Sequence, residues 1–97
     1  TMYASFLAAP FFTKSLPAEV EVYENKSVTL ECEISKPAPV IWYKDAVEIP
    51  VGHEDYVIQS EGVRLSIVIP NITFDQEAFY SCTVNEKVTK TQLSVRG

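Results

Sequence analysis

The stretch SVTLECEIS, residues 27–35, decides the fold. Val28, Leu30, Cys32 and Ile34 fall on one side of an extended chain and Thr29, Glu31 and Glu33 on the other, which is the two-residue alternation of a half-buried antiparallel strand. A helix would scatter the same apolar residues around its circumference, because helical side chains repeat every ~3.6 residues. Downstream, the KPAP run of residues 36–39 forbids regular pairing. Val40 and Trp42 then turn inward, and Ile41 and Tyr43 outward, on a strand that ends near Lys44 and Asp45. Val47 to Val51 is a short apolar piece stopped by Pro50 and Gly52, read as a small edge strand or a direct crossing to the other sheet. Tyr56 and Ile58 begin the next strand, Glu61-Gly62 turns it, and Leu65, Ile67 and Ile69 line the inner face of its partner up to Pro70. After a compact acidic corner at residues 73–77, Tyr80, Cys82 and Val84 face inward. Asn85-Glu86 opens the last hairpin, which sends Thr89, Thr91, Leu93 and Val95 to the core and Lys90, Gln92, Ser94 and Arg96 to water. Upstream, Phe11 or Phe12, Leu16, Val20 and Val22 read as a first strand split at Pro17. No stretch sustains a helical period, so the sequence predicts an all-β fold.

Ninety-seven residues, 46% of them hydrophobic, are enough for one two-layer core. Residues 10–97 read as that single domain. Residues 1–9 read as a linker or a cloning remnant, because the apolar run from Met2 to Phe12 lacks a basic flank and is too short to span a bilayer. No membrane partner is expected. A formal charge of −5, with eight Lys and Arg against thirteen Asp and Glu, also argues against nucleic acid, whose phosphates demand clustered basic residues.

Cys32, Trp42, Tyr80 and Cys82, in that order, carry a resemblance to the immunoglobulin superfamily. The segments PFFTKSLPAEVEVYENKSVTLECEIS (10–35), PAPVIWYKDAVEI (37–49) and LSIVIPNITFDQEAFYSC (65–82) narrow it to I-set domains, closest to those of giant intracellular muscle proteins of the titin and obscurin type. The resemblance implies a Greek-key β-sandwich of two antiparallel sheets. In it the two cysteines approach from opposing sheets, the indole fills the space beside them, and the tyrosine pins a corner. Whether Cys32 and Cys82 are bridged stays open, since a reducing cytosol would keep them as buried thiols and secretion would join them. The chain departs from the family at Gln76 and Ala78, where an acidic residue and a glycine are usual. Asp75 lies one position early, which leaves the corner's hydrogen bonds unassigned. Asn25 replaces a turn glycine and tolerates the left-handed backbone better than most residues.

The resemblance also implies a role: a non-catalytic structural and protein-interaction module of a large sarcomeric protein, acting as spacer, scaffold and mechanical element. It would be monomeric, strung in tandem with neighbouring immunoglobulin domains, and cytoplasmic in the myofibril, with other sarcomeric or cytoskeletal proteins as partners. The alternative is an extracellular I-set domain of an adhesion molecule or receptor. The residues themselves offer no nucleophile beside an orienting base, so no catalytic residue and no cofactor is expected. His53-Glu54-Asp55 reads as a solvated loop. Calcium would need a ladder of oxygen ligands and zinc close-set pairs, and neither pattern is present, so no metal is expected. Two sequons, Asn25-Lys26-Ser27 and Asn71-Ile72-Thr73, are read as accidents of turn composition. Ile41, Tyr43 and Phe79 would form an apolar contact patch if their strands neighbour one another, with Ser81, Thr83, Lys90 and Gln92 as its rim. Strand addition at the split first strand is a second docking route, weighed against Pro17, Glu19, Glu21 and Glu24 as edge protection.

Overall fold

The computed structural model describes residues 9–97, so the expectation for residues 1–9 falls, Ala9 apart, outside the described residues. Nine strands follow one another: β1 (Phe12–Lys14), β2 (Glu19–Tyr23), β3 (Val28–Ile34), β4 (Val40–Lys44), β5 (Val47–Ile49), β6 (Val57–Glu61), β7 (Arg64–Ile69), β8 (Ala78–Val84) and β9 (Lys87–Arg96), with one 3-10 turn at Phe74–Gln76. They form two sheets, in the orders β1-β3-β7-β6 and β2-β9-β8-β4-β5. The alternation read at residues 27–35 holds in space, with Leu30, Cys32 and Ile34 at 1% exposure or less. Leu65, Ile67 and Ile69 join them from β7, and Trp42, Tyr80, Cys82, Val84 and Leu93 close the core from the other sheet. Each such side chain contributes about 1.5–3 kcal/mol through removal of apolar surface from water.

One pairing departs from the expected antiparallel pattern. β2 runs parallel to β9, from Glu19 opposite Gln92 to Tyr23 opposite Arg96. The first strand is therefore split between sheets, β1 pairing with β3 and β2 with β9. The crossing is anchored where Leu16 buries its side chain and donates its N–H to Thr89 Oγ1 at 2.9 Å. Pro17, which has no N–H to pair, follows at once.

Turn geometry explains several residues that the hydrophobic pattern leaves unassigned. Asn25 adopts φ 69°, confirming that it fills a left-handed position, and the turn is fixed by bonds from Asn25 N–H to Ile72 O and from Ile72 N–H to Lys26 O. Asp45 and Ala46 both have positive φ in the two-residue loop between β4 and β5, the form whose twist suits a tight hairpin. Tyr56 lies just ahead of β6 rather than in it, because its N–H is turned back to His53 O while its ring enters the core.

The corner before β8 resolves the question left by Gln76. Tyr80 Oη donates to the main-chain carbonyl of Gln76 at 2.6 Å, a bond that any residue at position 76 would accept. The Gln76 side chain has a separate task, its Oε1 accepting the Thr73 N–H at 2.9 Å, as a carboxylate would. Tyr56 Oη lies 3.2 Å from Tyr80 Oη. Asp75 contributes only its carbonyl, which accepts from Lys44 Nζ at 2.9 Å. Burial first, and the Tyr56 bond second, hold the Tyr80 phenol far above the usual tyrosine range.

Candidate functional site

The outward face of the five-stranded sheet is set by register. Ile41 on β4 stands opposite Thr83 on β8, and Tyr43 opposite Ser81. Across the other side of β8, Phe79 faces Gln92, Ser81 faces Lys90 and Thr83 faces Val88. Ile41 and Tyr43 are thus same-face neighbours along β4, while Phe79 reaches Tyr43 only on the diagonal, about 7–8 Å away backbone to backbone. Ile41 and Phe79 are 40% and 48% exposed and Tyr43 is half-buried. Lys90 Nζ sits 5.6 Å from the centre of the Phe79 ring, so a cation covers part of that surface. Val88, 59% exposed, extends the same face and went unread. Its signal was available, since outward alternation along β9 from Lys90 lands on it.

The inner signature is compact. Trp42 is paired with Cys82 across β4 and β8, and both cysteines are fully buried as thiols. The hydrogen bond they share, reinforced by burial, holds the Cys82 thiol well above its ordinary value. The same bond lowers the Cys32 thiol, and with both groups closed to solvent neither is an accessible nucleophile. The Trp42 indole N–H has no hydrogen-bond partner among the described residues.

A groove of about 670 Å³ lies between the β4–β5 hairpin, the loop before β6 and the corner, with Asp45, Glu48, Glu54, Asp55 and Asp75 among its lining residues. His53 also lines it, but its Nδ1 is occupied as acceptor of the Asp55 N–H at 3.1 Å and its ring packs edge-on to Tyr56 at 5.0 Å. It caps a turn. Among the described residues, no group of three or more His, Cys, Asp or Glu gathers to hold a metal ion. Nor is any helix there long and apolar enough to cross a membrane. Asn25 and Asn71, the sequon residues, are both exposed.

The two ends of the sandwich differ. At one end lie the turn of residues 36–39, the β8–β9 hairpin and Phe11, whose N–H and carbonyl both bond Ser35. At the other lie the turn of residues 24–27, the corner and Gly97. There Glu24 N–H reaches Arg96 O at 2.6 Å. The chain thus enters at one pole and leaves at the other. Between them β2 and β9 run side by side, bracketed by bonds from Gln92 N–H to Ala18 O and from Glu24 N–H to Arg96 O. Arg96 adds an exposed ion pair to Glu21 at 2.6 Å.

The model of the immunoglobulin I-set domain matches residues 10–96. Among curated proteins, titin of Drosophila melanogaster is 30% identical over 84 residues, covering 87% of this chain and a share of the relative that rounds to 0%. The cardiac-type myosin-binding protein C of Mus musculus is 28% identical over 86 residues, covering 88% of this chain and 7% of the relative. The chain therefore spans only a small fraction of the curated relatives it matches. Among solved structures, domain I10 of titin superposes with a TM-score of 0.82 at 28% identity, covering 90% of this chain and 98% of that one.

Proposed function

Because the chain belongs to the immunoglobulin I-set family, we propose that it serves as a non-catalytic spacer and docking module of a large muscle cytoskeletal protein, strung in the sarcomere with neighbouring immunoglobulin domains. The observation that carries this reading is the parallel union of β2 with β9. Load applied at the two poles would draw these strands past one another, so their hydrogen bonds would resist together rather than open one at a time. The similarity to titin and to myosin-binding protein C, each far longer than this chain, supports the array.

The clamp can be tested bond by bond. The bonds at Ala18 and Glu24 fix the alternation, so the Val22 N–H points to β9 and the Glu21 N–H points away from it. In single-molecule pulling, Val22→Pro should lower the unfolding force clearly and Glu21→Pro much less. A force unchanged by Val22→Pro would sink the mechanical reading.

Docking is proposed at the outward face of Ile41, Tyr43 and Phe79, with Val88 added. A half-buried aromatic between exposed apolar neighbours and a polar rim is the make-up of a small contact surface. Partners would be proteins, and the module itself a monomer. Bridging of Cys32 and Cys82 follows compartment, and in a reducing cytosol both stay thiols. The exposed sequon residues Asn25 and Asn71 favour one competing reading, an extracellular adhesion or receptor domain. Intact mass of protein from its native source decides between them: glycan at either asparagine would establish the extracellular reading.

A further inference from the structure

We propose that the groove between the β4–β5 hairpin, the loop before β6 and the corner binds an extended, basic segment of a partner protein, seating a Lys or Arg side chain against its carboxylates. This site is separate from the outward face of Ile41, Tyr43 and Phe79, and it stands whether or not the chain belongs to an array. Asp45, Glu48, Glu54, Asp55 and Asp75 line the groove, and Lys44, which lines it too, has its Nζ on the Asp75 carbonyl at 2.9 Å. Lys26 comes near through its backbone, whose carbonyl accepts the Ile72 N–H, but it does not line the groove. None of the five carboxylates takes part in an ion pair among the described residues, where Arg64 pairs with Glu33 and Arg96 with Glu21. Five acids facing one ammonium in a concave site focus a field that gathers cations.

Gln76 narrows the chemistry beyond charge. It lines the groove and is only 8% exposed. Its Oε1 is taken by Thr73, with the N–H at 2.9 Å and Oγ1 at 3.4 Å, while its Nε2 has no hydrogen bond among the described residues. That amide nitrogen is not sealed inside the core, as Trp42 Nε1 and Thr91 Oγ1 are, so its open side is the groove. A donor there has nothing to offer a metal ion, a free ammonium or a guanidinium, none of which carries an acceptor. A basic residue of a peptide supplies both partners, a cation for the carboxylates and a carbonyl for Nε2. β5 is the last strand of its sheet, so its outer edge is unpaired where it borders the groove, and an extended chain can lie along it. Ile49, Tyr56 and Pro70 give the walls apolar surface for the methylene stem of Lys or Arg.

The test titrates the nitrogen-15-labelled 97-residue chain with two probes of equal charge, N-acetyl-arginine N-methylamide and butylguanidinium, which has the cation without a carbonyl. The blocked arginine should shift the amides of the groove residues saturably and bind about threefold tighter than butylguanidinium, as one net hydrogen bond would give. Glu48→Gln, Glu54→Gln and Asp55→Asn together should weaken both probes roughly tenfold. Gln76→Glu keeps an oxygen for Thr73 and removes the donor, so it should erase the preference for the blocked arginine. Lengthening the probe to a blocked Ala-Ala-Arg-Ala-Ala peptide should tighten binding and shift the Glu48 amide further. Unshifted urea midpoints establish that the variants fold. Absence of saturable shifts at the groove, affinity untouched by the triple neutralisation, or a preference that survives Gln76→Glu overturns the proposal. Calcium chloride alone producing the same shifts would make this a metal site and overturn it likewise.

Discussion

Thr91 buries a hydroxyl at 1% exposure with no hydrogen-bond partner among the described residues. An unsatisfied buried polar group costs about 1–3 kcal/mol. Thr91→Val removes the oxygen and keeps the shape, so the urea midpoint should rise by an amount equivalent to about 1 kcal/mol. A lower midpoint would mean that the hydroxyl has a partner in solution. Ala46 poses the opposite problem, a side chain held at φ 69°. Left-handed geometry costs a non-glycine residue about 1–2 kcal/mol, and glycine gives back part of that as unfolded-chain entropy. Ala46→Gly should therefore stabilise the fold by roughly 0.5–1 kcal/mol in the same assay. Neither residue announces itself in the sequence. Thr91 sits at a correct inward position, and only the absence of a neighbour makes it costly. The work of Gln76 was equally hidden, since an amide oxygen and a carboxylate differ in letter but not in what they accept from Thr73.

The strands were legible because each writes its own alternation locally, from Val28 through Ile34 to Thr89 through Val95. Their pairing was less so. Nothing between Glu19 and Tyr23 records that the partner is β9, some seventy residues away, or that the two run parallel, because pairing is decided by where the Leu16 crossing delivers the chain. The outward patch had the same limit: the faces of Ile41, Tyr43 and Phe79 follow from alternation, but the diagonal offset of Phe79 and the Lys90 cover over its ring follow from register. One tie between elements is open to a direct check. Glu77 Oε1 accepts the Val95 N–H at 2.8 Å, holding the corner to the end of β9. Glu77→Ala should cost about 1–2 kcal/mol by urea unfolding and speed exchange of the Val95 amide. Unchanged exchange there would show that the bond is not formed in solution.

For the molecule as a whole, a buried phenol bears on the alkaline limit. Tyr80 holds its proton more tightly folded than unfolded. The unfolded chain releases it first, near pH 10. The stability it represents is complete below that value and falls as pH rises beyond it, by about 1.4 kcal/mol per pH unit. Urea midpoints from about pH 9 to 11 should decline accordingly. Tyr80→Phe should flatten the part above about pH 10, and an identical slope in that variant would count against the assignment. The course of the backbone between poles has a consequence of another kind. Many domains bring their termini close together, which lets them be inserted into a loop of a host protein, but here Phe11 and Gly97 stand at opposite poles. Such a unit does not fit a short surface loop, whose two ends lie close together. It suits addition end to end, where duplication of its coding segment lengthens the polypeptide by one link.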